Sequence, residues 1–185
     1  MRNARNGRID LAEDVTPTDH SLGPDRAPIT LVEYGDFECP NCKQAVPAVE
    51  IVLHRFPEQV RFVFRHFPLT DVHHHALAAA EAAESAAAQG KFWEMHKLLF
   101  EHQAHLDRKH LLRYASDLGL DIPRFTAELD DEIYRQRVLE HLDGGERSGV
   151  RGTPGFFVNG RIVDVSFGLH ALLDAVEAAT GDLLR

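Results

Sequence analysis

Ile29-Thr30-Leu31-Val32-Glu33-Tyr34-Gly35-Asp36-Phe37-Glu38-Cys39-Pro40-Asn41-Cys42 is the stretch on which the reading of this chain turns. Ile29 to Tyr34 reads as a buried strand, and Gly35 to Glu38 as the turn that leaves it. The segment after the second cysteine, Lys43 to Arg55, carries Ala45, Val49, Val52 and Leu53 at helical spacing, with Phe56 beyond and Pro57 as a stop. Pro40 falls at the helix start, where a missing N–H costs nothing. Pro47 lies inside the helix and is expected to bend it. Two thiols two residues apart at a strand-to-helix turn can close an intramolecular disulfide. The first of them sits where free N–H groups and the helix dipole favour a thiolate. The pair is a candidate redox centre.

Outward from this stretch, Val60 to Arg65 alternates β-branched and aromatic residues with arginines and reads as a second strand, parallel to the first across a right-handed crossover. Residues 69–148 read as entirely helical. An alanine-rich helix spans Asp71 to Gln89 and stops at Gly90, and another spans Phe92 to His102. Asp107 caps a helix to Leu118, Asp121 caps the next, and the last spans Asp131 to Ser148 with Gly144-Gly145 as a weak point or break. Alternation returns at Gly155 to Val158 and Arg161 to Asp164, joined by Asn159-Gly160, a strong hairpin signal. A final helix covers Leu169 to Ala179. Residues 1–27 are polar and punctuated by Pro17, Gly23 and Pro24; they read as a partly ordered arm contributing at most one short edge strand.

Bulk properties narrow the function. A length of 185 residues with 44% hydrophobic content suits one domain, or one domain carrying a large insertion. The net charge of -9 argues against nucleic acid as a partner. No apolar run is long enough to span a membrane. The basic N-terminus lacks an apolar core segment of the secretory kind, so a cytoplasmic protein is expected. Two cysteines are too few for a structural disulfide framework, and a staple across so short a loop would gain little entropy. The pair is better suited to chemistry than to reinforcement.

With Gly152-Thr153-Pro154 standing just before the hairpin, Cys39-Pro40-Asn41-Cys42 resembles the redox motif of the thioredoxin fold. The helical stretch between the second strand and Thr153-Pro154 is similar to the insertion of the DsbA-like branch. Asp19-His20-Ser21-Leu22-Gly23-Pro24, Gln89-Gly90-Lys91-Phe92-Trp93-Glu94-Met95-His96 and Gly149-Val150-Arg151 also resemble DsbA-type sequences, so the likeness covers roughly residues 19–181 in motif order. It implies an α/β, thioredoxin-like fold: a central mixed sheet flanked by helices, with an inserted all-helical subdomain. The thioredoxin-like unit is then 28–68 and 149–185, the insertion 69–148, and the arm 1–27.

The resemblance also implies a thiol–disulfide oxidoreductase. Cys39 would attack and the deeper Cys42 would resolve. Pro154 would follow a cis bond and face the disulfide, with Thr153 offering backbone to an extended substrate. Glu33 would lie buried beneath the pair as a proton relay. Pro40 and Asn41 tune the couple; Asn41 stands where DsbA enzymes have histidine, and with Asp36 and Glu38 nearby it points to a thiol less acidic than in the strongest oxidants. Phe37, Phe67, Phe156 and Phe157 are candidates for an apolar rim, with Phe37 placed among the substrate-binding residues, although core packing is the expected use of most of the four. Partners would be protein or peptide thiols and disulfides, with glutathione as a small-thiol candidate, acting on a monomer or homodimer. No cofactor is implied beyond the Cys39–Cys42 disulfide, and no metal. Adjacent residues of the His73-His74-His75 run point different ways on a helix, and structural zinc needs four ligands. Two other readings stand beside this one. Related domains occur fused to bacterial sodium/proton antiporters, which fits a redox-responsive regulatory domain. A glutathione-dependent transferase or isomerase of related fold would not need two cysteines.

Overall fold

The structure, a computed structural model, describes residues 10–183; the first nine residues of the expected arm lie outside it. Its strands are β1 (His20–Leu22), β2 (Ile29–Gly35), β3 (Val60–His66), β4 (Gly155–Val158) and β5 (Arg161–Val163), ordered β1-β3-β2-β4-β5 in one mixed sheet. β2 and β3 run parallel, joined by α1 (Pro40–Arg55). The other neighbours are antiparallel. Between β3 and β4 come α2 (Ala76–Ala87), α3 (Phe92–Glu101), α4 (Arg108–Asp117), α5 (Ile122–Asp130) and α6 (Arg135–Arg147), and α7 (His170–Leu183) follows the hairpin. This is the expected thioredoxin-like sheet flanked by helices.

Alternate residues of the central strands feed two cores, because both faces of the sheet are covered. Leu31, Phe62, Phe64 and Phe156 pack with α1, the alanines of α2, and α3. Val32, Tyr34, Val63 and Phe157 face the other way, onto Phe67, Leu142 of α6, and Leu11 and Val15 of the arm. The helical stretch is therefore not a body apart, since α6 covers one face of the sheet. The hairpin turn has positive φ at both central residues, Asn159 (47°) and Gly160 (76°), as a two-residue turn between twisted strands demands.

The arm is docked from Asp10 onward, more fully than its polar sequence suggests. Arg65 on β3 is buried and pairs with Asp19 at 2.9 Å. It also donates to the backbone oxygens of Glu13 and Asp14 and to the Tyr34 hydroxyl. A buried guanidinium is tolerated when its donors are met, and the arm supplies most of the acceptors. The alanine-rich helix starts at Ala76, later than expected. The preceding segment is held in turns because Asp36 accepts the Leu69 N–H and Glu38 accepts the His75 N–H. The last helix of the insertion likewise starts at Arg135, after Glu132 takes a φ of 53°.

Gly144-Gly145 does not break α6; it lets the helix approach the sheet. A Cβ on Gly145 would fall 2.6 Å from the Phe67 ring and 3.0 Å from the Tyr34 ring. Gly145→Ala is therefore expected to destabilise the fold by about 1–3 kcal/mol through overpacking, although alanine is the better helix former. Urea unfolding checks this; a midpoint at or above that of the native protein would mean that the rings yield freely.

Candidate active site

Cys39 is the N-cap residue of α1, in extended conformation (φ -77°, ψ 121°). Its pKa is lowered to about 5. The largest influence is a hydrogen bond from the Cys42 thiol. Burial opposes it, and the Thr153 hydroxyl and the backbone N–H groups of Cys42 and Asn41 add to the lowering. The sulfur thus takes the acceptor role that a serine or aspartate oxygen plays at other helix starts. Cys42 is fully buried and receives the Asp36 N–H at 3.4 Å. Its thiol is pushed strongly up by burial, by the hydrogen bond to Cys39 and by Glu33. Both thiols are free.

Asp36 and Glu38 do not govern Cys39 as the sequence suggested. The Asp36 carboxylate accepts the Glu38 N–H at 2.7 Å, the Leu69 N–H at 2.8 Å and a contact from His73 Nδ1 at 2.8 Å. Glu38 is engaged by the His75 N–H at 2.7 Å.

The Thr153–Pro154 peptide bond is cis, and the Thr153 carbonyl lies 3.4 Å from Cys39 Sγ. The Thr153 hydroxyl is buried with no partner other than the sulfur beside it. Cys39 keeps 5% of its surface exposed. Next to it lies a cleft of about 560 Å³ lined by Asn41, Gln44, Thr153, Pro154, Val165 and Leu169. The β5–α7 connection that forms its far wall carries the exposed Phe167.

Glu33 is buried on β2 opposite Phe64 and Phe156. Burial, and then the charge of Cys39, raise its pKa to about 8. It borders a cavity of about 340 Å³ between α1 and α3, with Val46, Trp93, His96 and Phe100 on the walls.

Phe37 is not a rim residue. It is 1% exposed and its ring packs on Phe64 (5.3 Å between centroids) and Phe100 (5.0 Å). The turn curls this large apolar side chain into the interior, where burial is worth more than exposure at a wet cleft. Phe67, Phe156 and Phe157 are buried as well.

Two features escaped the sequence reading. Gln103, after α3, donates from Nε2 to the carbonyls of both Phe37 and Cys39 at 2.8 Å, so the insertion grips the active-site turn. His73 is held on Asp36 beside the redox pair. Neither carries a local signal, since 64 and 37 residues separate each from its partner.

Among the described residues, one group brings metal-ligating atoms together, and it is not the histidine run: His20, His66 and Glu84. Both histidine Nε2 atoms lie within 2.8 Å of one Glu84 oxygen, and Arg137 pairs with the other. Burial alone would raise the Glu84 pKa, but the histidine hydrogen bonds hold it well below the usual carboxylate range. With Arg137 opposing the carboxylate charge, the group is a buried charge network joining β1, β3, α2 and α6, in which His66 Nδ1 has no hydrogen-bond partner among the described residues.

A C-x-x-C whose first thiol caps a helix, set against a cis-proline loop on a mixed sheet, defines a thioredoxin-class site. The chain belongs to the thioredoxin family, whose Thioredoxin_4 profile, described as Thioredoxin, matches residues 15–178. It is 53% identical over 181 residues to a sodium/proton antiporter, NhaA 1, of Salinispora arenicola (strain CNS-205), covering 97% of this chain and 28% of the antiporter. The chain thus spans about a quarter of the length of the curated relatives it matches. Its structure superposes with a TM-score of 0.79 on a thioredoxin-like oxidoreductase from Silicibacter pomeroyi DSS-3, at 28% identity over 94% of this chain and 98% of that one. It shares its fold with alpha-DsbA1 of Wolbachia pipientis, with a TM-score of 0.81 at 19% identity over 96% and 98% of the two chains. Among the described residues no helix is long and apolar enough to cross a membrane.

Proposed function

We propose that this chain is a DsbA-like protein thiol–disulfide oxidoreductase in which Cys39 attacks and Cys42 resolves. One observation carries the reading: Cys39 caps α1 with its sulfur 3.4 Å from the Thr153 carbonyl while Cys42 is fully buried behind it, a setting that drives the two thiols in opposite directions, Cys39 down to about 5 and Cys42 far up. At neutral pH Cys39 is a thiolate and Cys42 holds its proton. In the reducing direction the Cys39 thiolate attacks a substrate disulfide, forms a mixed disulfide and expels one substrate thiolate. Cys42 then loses its proton to the Glu33 carboxylate and attacks Cys39 Sγ. The second substrate thiolate leaves and is protonated. Two electrons pass to the substrate and the Cys39–Cys42 disulfide closes; no other cofactor is needed. The oxidising direction is the reverse.

The cleft beside Cys39 supports a peptide substrate. Pro154 and Asn41 line it, and Thr153 can present its backbone to an extended chain. Protein and peptide thiols are the principal substrates, with glutathione as a small-thiol partner. A Cys39 pKa of about 5 lies between the roughly 7 of thioredoxin and the roughly 3.5 of the strongest oxidants. A stabilised thiolate favours the reduced pair, so the disulfide is moderately oxidising. The reading includes a cytoplasmic location and action as a monomer or homodimer.

The test is insulin reduction under dithiothreitol, together with the rate of Cys39 alkylation against pH. Catalysed turnover that disappears in Cys39→Ser, and an alkylation inflection near 5, are expected. No turnover, with an inflection at the ordinary cysteine value, would remove the reading.

The antiporter relatives favour a second reading of the same chemistry. The pair would act as a slow redox sensor whose disulfide state is read by a sodium/proton antiporter. Here the pair would equilibrate with glutathione yet turn insulin over weakly.

A further inference from the structure

The Cys39-Pro40-Asn41-Cys42 turn contains no cation. The first basic residue of α1, Lys43, extends its ammonium to the Glu101 carbonyl at 3.2 Å. A histidine from elsewhere in the chain is instead held on Asp36, the residue that bonds to both cysteines. His73 lies on the segment between β3 and α2, with its Nδ1 2.8 Å from the buried Asp36 carboxylate. Asp36 is also tied to both cysteines: its carbonyl accepts the Cys39 N–H at 3.1 Å and its own N–H meets Cys42 Sγ at 3.4 Å. One residue therefore holds the imidazole, the Cys39 backbone and the Cys42 sulfur together. The His73 N–H, bonded to the Leu69 carbonyl at 2.8 Å, fixes the backbone that carries the ring.

We propose that His73, anchored by Asp36, is the cation of this active site: as imidazolium it stabilises the Cys39 thiolate, and the support is withdrawn as His73 loses its proton. The inference rests on the reading of Cys39 as the attacking thiol. His73 acts on the reaction through Cys39 and is a positioning residue.

The charges that act most on His73 are acidic: Asp36 and Glu38 from the turn, and Cys39 from the start of α1. Burial alone would lower the imidazole pKa. The Asp36 hydrogen bond, the Asp36 charge and then the charges of Cys39 and Glu38 raise it above the ordinary histidine value. The side chain is 19% exposed, so it exchanges its proton with solvent. Coupling between two titrating groups is reciprocal, so a thiolate that holds the proton on His73 is itself held ionised by it. Because the His73 pKa is raised, its charge is present through the lower range and is lost as pH climbs past that raised value. Between the Cys39 titration and the His73 titration the site is a thiolate–imidazolium pair; above both it is a bare thiolate.

The experiment is Cys39 alkylation by iodoacetamide across the acidic to alkaline range, on the full chain, with His73→Gln and His73→Lys. In His73→Gln the alkylation rate at about pH 5 is expected to fall about threefold, the scale of a partly screened charge pair, and to be unchanged at about pH 9. His73→Lys restores the rate at the acidic end, which a purely structural loss would not allow. The glutathione equilibrium of His73→Gln should move about threefold toward the disulfide at about pH 6 and stay fixed at about pH 9. A His73→Gln profile superposing on the native one, or lowered equally at every pH, overturns the inference. The native protein carries an independent check that needs no variant. Blocking Cys39 with iodoacetamide must lower the His73 pKa read by NMR, and an unchanged value overturns the inference too. A native Cys39 without any early inflection would instead remove the reading on which the inference rests.

Discussion

Cys42→Ser is expected to turn the protein from a turnover catalyst into a trap. Cys39 would still attack, because its thiolate retains the backbone N–H groups at the start of α1 and the Thr153 hydroxyl. Serine can donate a hydrogen bond to that sulfur in place of the Cys42 thiol, so the Cys39 pKa should stay well below that of a free cysteine. The mixed disulfide then has no internal thiol to release it. Insulin turnover should fall by about a thousandfold or more, the scale for removing one member of a covalent catalytic unit. A Cys39-linked adduct should accumulate and be visible by non-reducing electrophoresis and mass spectrometry. Cys39→Ser should be equally inactive but form no adduct, since Cys42 is fully buried and its thiol is held protonated. Adducts forming on Cys42 in that variant would reverse the assignment of attacker and resolver.

Glu33→Gln is expected to slow the second half of the reaction while leaving the first intact. At neutral pH about a tenth of a carboxyl with a pKa near 8 is ionised, so the base is available but scarce. Resolution should slow by about tenfold to a hundredfold, at or below the lower end of general-base contributions. The rise of its rate through about 8 should vanish. Stability moves the other way. A carboxyl whose folded pKa is raised penalises the fold once the unfolded chain ionises, so the reduced protein loses stability as pH climbs from about 4.5 to about 8. Glutamine removes that penalty, and the reduced variant should be more stable than the native protein at about pH 9 by on the order of 3–5 kcal/mol. Stopped-flow resolution kinetics and denaturant unfolding at two pH values separate the effects. A native-like pH profile in the variant would place the proton elsewhere.

The parts of this molecule that were legible in its sequence are those written in local pattern. Ile29 to Tyr34 is apolar at four of its six positions because β2 is covered on both faces, and a strand of that kind needs no tertiary information to recognise. Asn159-Gly160 announces its turn because both positions need positive φ. Cys39 is interpretable because a thiol at a helix start meets the same N–H groups in any fold. What stayed hidden depends on distant partners. Asp36 looks like a thiolate-opposing acid until Leu69 and His73 are seen to engage it. Phe37 looks like a rim aromatic until α3 brings Phe100 beneath it. The glycine pair of α6 looks like a break because intrinsic propensity dominates a sequence reading, whereas the approach of the Phe67 and Tyr34 rings decides the matter in space. The arm reads as loose because its polar groups serve distant partners, among them Arg65, which Asp19 meets from 46 positions away, and Ser148 and Gly160 near the other end of the chain.

Gln103 gives the inserted helices a duty that their position in the chain conceals. Its amide hydrogens cap two carbonyls of the redox loop, and the stretch entering the same insertion supplies the ligands of Asp36 and Glu38. Splicing β3 directly to β4 would yield a minimal polypeptide with every strand and both cysteines present, yet with the loop around them stripped of its scaffolding. The insertion is an outer brace on the reactive sulfur, and a force or ligand that shifts it has a two-bond lever on the thiol.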